Sequence, residues 1–109
     1  MMRLGALLFI GALALGACGP DDDDILFDGQ FYRTDVDSDK GSRDQFTVSA
    51  RPVSASLVGA REAGRYEATV YCVNRFGRSA IEWVVGPDSP DEALTITNDT
   101  LFLQGRCLE

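Results

Sequence analysis

The chain has 109 residues, with ten Lys or Arg against seventeen Asp or Glu, a formal charge of −7 and no histidine. That length supports one small domain, and the acidic balance argues against nucleic acid as a partner, because there is no basic patch to replace phosphate counterions. Without histidine, His-based triads, imidazole bases and His metal sites are all excluded.

Residues 1–17, MMRLGALLFIGALALGA, open with Arg3 and run uncharged from Leu4 to Ala17. As a helix that run extends roughly 21 Å at about 1.5 Å per residue. The hydrocarbon core of a bilayer is about 30 Å thick, so the segment reads as a secretory leader and not as a membrane span. Its end, Leu15-Gly16-Ala17-Cys18, resembles the lipobox of bacterial lipoproteins: an aliphatic residue, two small residues, then cysteine. The resemblance implies cleavage before Cys18, diacylation of its thiol and, in most such proteins, acylation of the new amine. A single myristoyl chain anchors only marginally at about 0.8 kcal/mol per buried methylene, so two or three chains on one residue make a firm anchor. The competing reading is ordinary leader cleavage after Gly16, with Cys18 a bystander.

In lipoproteins, Asp directly after the cysteine favours inner-membrane retention, and Gly19 stands there. The resemblance therefore implies a lipid-anchored, periplasm-facing protein of the cell envelope, at the outer rather than the inner membrane. Residues 18–24 become the acylated cysteine and an acidic tether, since the adjacent charges of Asp21 to Asp24 repel and stay solvated.

Taking the 17 leader residues from 109 leaves 92, with nine basic against seventeen acidic residues and a net charge near −8. Residues 25–109 then form one small domain, marginal on surface-to-volume grounds. With Cys18 assigned to lipid, Cys72 and Cys107 are left to pair in an oxidising compartment. A bridge closing a loop of roughly 36 residues contributes about 3 to 4 kcal/mol on the chain-entropy model. A free catalytic thiol is the competing reading, with no histidine present to activate it.

Four segments read as strands. Ile25 to Val36 is rich in aromatic and branched residues and is interrupted near Asp28-Gly29. Gln45 to Val53 alternates, with Phe46, Val48 and Ala50 on one face, and Ser79 to Val85 aligns Ile81, Trp83 and Val85. Thr100 to Cys107 places Leu101, Leu103, Gly105 and Cys107 together. Such alternation marks a sheet with one buried side. Gly86-Pro87 and Ser89-Pro90 break the chain after the third strand, and Asn98-Asp99-Thr100, formally a glycosylation sequon, reads as a turn.

Between these pairs, Ser56 to Phe76 reads as a helix with Leu57, Ala60, Gly64, Ala68, Tyr71 and Cys72 on one stripe and Gly77 as its stop. Tyr66 to Val73 also alternates, so a strand competes there. The helical reading points Cys72 and Cys107 into one layer. It predicts an α+β fold: a small antiparallel sheet in ββ-α-ββ order, one helix packed on it and a helix–strand disulfide.

The segment DVDSDKGSRDQF, residues 35–46, puts Asp35, Asp37 and Asp39 at the first, third and fifth places of a calcium loop. Lys40 holds the place that needs glycine and Phe46 the place that needs glutamate. The simpler reading is a charged hairpin loop. Cys72, Trp83 and Cys107 follow the Cys–Trp–Cys order of immunoglobulin domains, but Tyr66 stands six residues before Cys72, where the tyrosine corner of that fold needs two. No glycine-rich phosphate loop appears, and the single lysine, Lys40, lies in the charged segment, so no enzyme is expected.

The sequence thus predicts a non-enzymatic, lipid-anchored binding or assembly-accessory domain with no cofactor. It would meet the membrane through its anchor and another envelope protein through the helix face opposite the sheet, where Tyr66, Val70 and Val73 leave apolar area, unless the first strand or the tether covers it. The alternative is a weak calcium- or small-ligand-binding module that uses the acidic residues 35–44.

Overall fold

The computed structural model describes residues 24–109, in which one helix lies across an antiparallel sheet. The first predicted strand is divided in three. Strands β1 (Leu26–Phe27) and β2 (Gln30–Phe31) form a hairpin, and β3 (Arg33–Asp39) follows as a separate strand. Asp28 and Gly29 make the break, both at positive φ (52° and 74°), the conformation that a two-residue hairpin turn matched to strand twist requires.

Strand β3 pairs with β4 (Ser42–Arg51) around a turn at Lys40-Gly41. Helix α1 (Leu57–Phe76) comes next, then β5 (Ile81–Val85), β6 (Thr95–Thr97) and β7 (Thr100–Cys107). The main sheet runs β3-β4-β7-β5, with β6 alongside β7, and every pairing is antiparallel. The structure therefore has the predicted architecture and adds the β1–β2 hairpin and β6. The turn between β6 and β7 is Asn98-Asp99, again both at positive φ. Asp99 ties that turn back to the segment before the helix, accepting from the Ser54 backbone N–H at 2.8 Å and its hydroxyl at 2.7 Å.

Helix wins over strand in the ambiguous segment because both ends are capped and one stripe is small. The Ser56 hydroxyl accepts from the Gly59 N–H at 3.0 Å, the N-cap bond that satisfies an otherwise orphaned donor. At the other end Gly77 adopts φ 76° and its N–H donates to the Val73 carbonyl at 2.9 Å, a left-handed stop that favours glycine. The buried positions are Gly59, Ala60, Ala63, Gly64, Ala68 and Cys72. Their small side chains let the helix backbone approach the sheet.

The core lies in the single layer between helix and sheet. Strand β4 supplies Phe46, Val48 and Ala50, and β7 supplies Leu101, Leu103 and Cys107, all buried. Fully burying a side chain such as Val or Leu stabilises by about 1.5 to 3 kcal/mol, so these residues hold the two layers together. Cys72 of α1 and Cys107 of β7 form the predicted disulfide, with Cα atoms 5.5 Å apart. Trp83 sets its ring edge-on to Phe46 at 5.7 Å. The connection after β5 is drawn onto the helix by Arg61, which donates to the Pro87 and Ser89 carbonyls and pairs with Asp91.

Candidate functional site

Strand β3 ends the sheet: β4 pairs along one side of it, and no described strand pairs along the other. Its alternation leaves Thr34, Val36 and Ser38 half-buried and Asp35, Asp37 and Asp39 exposed. Thr34 and Val36 lie on the helix side with Asp35 at the rim, whereas Ser38, next to a register shift, borders the opposite face with Asp37 and Asp39. Helix α1 runs beside this edge and touches it at Thr34, through Glu67. The gap between them is a groove of about 1020 Å3. Thr34 and Val36 form one bank, Glu67, Val70 and Tyr71 form the other, and Phe76 lies at the C-terminal end of the helix.

Two bonds across the groove fix its width. Thr34 Oγ1 donates to Glu67 Oε1 at 3.0 Å. The Tyr71 hydroxyl donates to the Arg43 carbonyl at 2.6 Å, and Arg75 lies over the Tyr71 ring at 5.3 Å. With Glu67 and Tyr71 held this way, Val36 and Val70 are the apolar members of the opposite banks.

The three residues predicted on the helix face divide. Tyr66 and Val73 are both 44 % exposed, whereas Val70 is half-buried and turned into the groove. Tyr66 is also shared with the first hairpin, since Phe27 stacks on it with ring centroids 5.8 Å apart. The exposed stripe is thus partly covered by β1 and continues into the groove through Val70.

Asp35, Asp37 and Asp39 lie not in a loop but along one face of β3, with only Lys40-Gly41 as turn. Extended backbone separates alternate residues by nearly 7 Å, so the three carboxylates form a row and do not converge. Among the described residues no group of three or more Asp, Glu or Cys side chains is placed to hold a metal ion. Asp39 accepts weakly from the Gly41 N–H at 3.4 Å. Asp35 and Asp37 make no ion pair or side-chain hydrogen bond among the described residues.

The sheet face away from the helix holds a second depression of about 590 Å3, where strand register aligns Asp37, Thr47 and Gln104 in one row and Gln45, Arg106 and Glu82 in another. Arg106 bridges Glu82 at 2.9 Å and Asp44 at 3.8 Å, and the hydrogen bond to Glu82 holds its guanidinium above the ordinary value. On the helix, hydrogen bonding chiefly to Asp88 and then to Glu62 raises Arg65 in the same way. Both arginines stay charged throughout the physiological range, so neither acts as a proton donor or acceptor.

Cys72 and Cys107 are sealed in the core as a disulfide. Cys18, the predicted lipidation site, lies outside the described residues. Among the described residues no helix is long and apolar enough to cross a membrane. Sequence reasoning missed Thr34, Val36 and Phe76 as groove residues. The signal for the first two is their parity within β3, which shows only once the carboxylates between them are recognised as the other face of a strand. No family model matches the chain, and no curated protein or solved structure is significantly similar to it.

Proposed function

We propose that this chain is a lipid-anchored, non-enzymatic binding domain of the bacterial cell envelope. In this reading Cys18 is the acylated residue, Asp21 to Asp24 hold the domain off the membrane, and the groove between α1 and β3 takes another envelope component. The observation that carries the binding role is that groove, in which Val36, Val70 and Phe76 form an apolar strip within a mixed polar lining, beside a strand edge with no described partner. Tyr66 and Val73 extend the contact along the helix. The lipobox resemblance supports the anchor, and the lack of histidine supports a role without catalysis.

The test is photo-cross-linking in intact membranes. A photoreactive residue at Val70 is expected to capture one discrete component, while the same group at Val84, 71 % exposed on β5, captures none. Equal labelling from both positions defeats the groove as binding surface. Mass measurement of the mature amino terminus addresses the anchor: an unmodified Cys18 removes it.

A further inference from the structure

The free edge of β3 separates two chemistries along its length. Its solvent face carries Arg33 followed by the carboxylates of Asp35, Asp37 and Asp39, and its groove face carries Thr34 and Val36. A strand added at this edge alternates in the same way. Every second side chain would enter the groove against Val36 and Val70, and the others would lie beside the carboxylate row. Charged side chains of both signs border the groove, Arg43 and Arg75 against Asp35 and Glu67, so it offers a ligand no net charge and takes apolar side chains through Val36, Val70 and Phe76. The side chains beside Asp35 and Asp37 must be cationic, because those carboxylates have no ion-pair partner among the described residues.

We infer that the groove binds an extended peptide segment of about seven residues, alternating basic and apolar, which pairs with β3 as an additional strand. The inference rests on the binding reading above and specifies the ligand class and the mode of docking. Main-chain pairing supplies affinity and alternate side-chain pockets supply selectivity, as in other strand-addition complexes. A second copy of the chain does not fit this edge. Antiparallel pairing of β3 with β3 about Val36 would set Asp35 beside Asp37 twice, and like charges opposite one another destabilise a ladder. The same acidic row that guards the edge against self-association thus admits a basic strand, discriminating by repulsion as well as attraction.

The experiment uses the complete mature protein in detergent with synthetic peptides of about eight residues, enough to cover β3 at roughly 3.3 Å per residue. One peptide alternates Lys and Val, a second alternates Glu and Val, and a third is the Lys–Val peptide N-methylated at alternate residues on its edge-facing side. The Lys–Val peptide is expected to protect β3 amides from hydrogen exchange and to bind about tenfold or more tightly than the Glu–Val peptide. Higher salt should narrow that preference, and N-methylation should abolish binding. The Asp35→Lys/Asp37→Lys variant is expected to reverse the preference. Asp35→Asn/Asp37→Asn, which keeps side-chain size, is expected to erase it, with near-UV circular dichroism confirming that both variants are folded.

Equal affinity for the two peptides, binding that survives N-methylation, or a dimer formed through β3 each overturns the inference. A Val70 adduct in membranes without peptide protection of β3 rejects strand addition while leaving the binding reading standing. Loss of both rejects both.

Discussion

Gly59 lies where α1 passes under the first hairpin. A Cβ built there would fall 2.8 Å from the Phe27 carbonyl oxygen, with the Tyr32 ring equally close. The Tyr32 hydroxyl also donates to the Ser56 carbonyl at 2.8 Å, and the Ser56 hydroxyl donates to Asp28. Helix start and hairpin are therefore locked together at one point. Alanine normally stabilises a helix interior relative to glycine by about 1 kcal/mol, but here the obstacle is backbone that cannot rotate away. Gly59→Ala is expected to destabilise by about 1 to 3 kcal/mol, the usual cost of overpacking. Urea denaturation measures it, and an unchanged or higher midpoint would show that the hairpin lifts off freely. Nothing in the residue order marks Gly59 for this role, because the constraint comes from an element more than twenty-five residues away.

At the scale of elements, legibility followed how completely one face is buried. Strand β7 was read with its observed limits, since Leu101, Leu103 and Cys107 are all buried and Gln104 between them is exposed. The 57–76 helix was legible from its length, its small stripe and the stop at Gly77. Strand β6 left no signal, because Thr95, Ile96 and Thr97 are all exposed and no alternation can arise. Residues 35–39 read as a charged loop for a related reason. An edge strand with one solvated face tolerates a carboxylate at every second place, and from sequence that charge density resembles a loop.

The disulfide joins the two elements that the core depends on, linking α1 to β7 across 35 residues. Cys72→Ala/Cys107→Ala is expected to lose about 3 to 4 kcal/mol by the chain-entropy argument. For a domain this small that is a large share of a total stability that typically lies at about 5 to 15 kcal/mol. A thermal melt under non-reducing conditions provides the comparison. A loss below about 1 kcal/mol would mean that the helix–sheet contact by itself holds the layers.

For the whole molecule the governing quantity is charge. Seventeen acidic residues against ten basic ones leave a field that opposes compaction, and β3 concentrates part of it in one row. The ion pairs of Arg65 and Arg106 lie at the surface, where such pairs contribute little, and only Arg61, largely buried, reaches out to an exposed Asp91. Raising salt from about 0.01 M to 0.15 M shortens the screening length from roughly 30 Å to 8 Å. Relief of repulsion is therefore expected to outweigh weakening of the pairs, raising Tm by roughly 2 to 4 °C, equivalent to about 0.5 kcal/mol. A lower Tm in salt would assign the balance to the ion pairs instead.

By themselves, the residues determined the limits of the last strand and the pairing of Cys72 with Cys107, and they favoured the helix, and with it the α+β class, over a competing strand. All of these depend on local periodicity, caps and counting. The groove and the free edge of β3 were decided only by tertiary structure. A strand becomes an edge through what its neighbours fail to cover, and a groove exists only between elements distant in sequence. Asp35, Asp37 and Asp39 became a row, and Val36 and Val70 became opposite banks, when the helix crossed a sheet whose order no local pattern encodes.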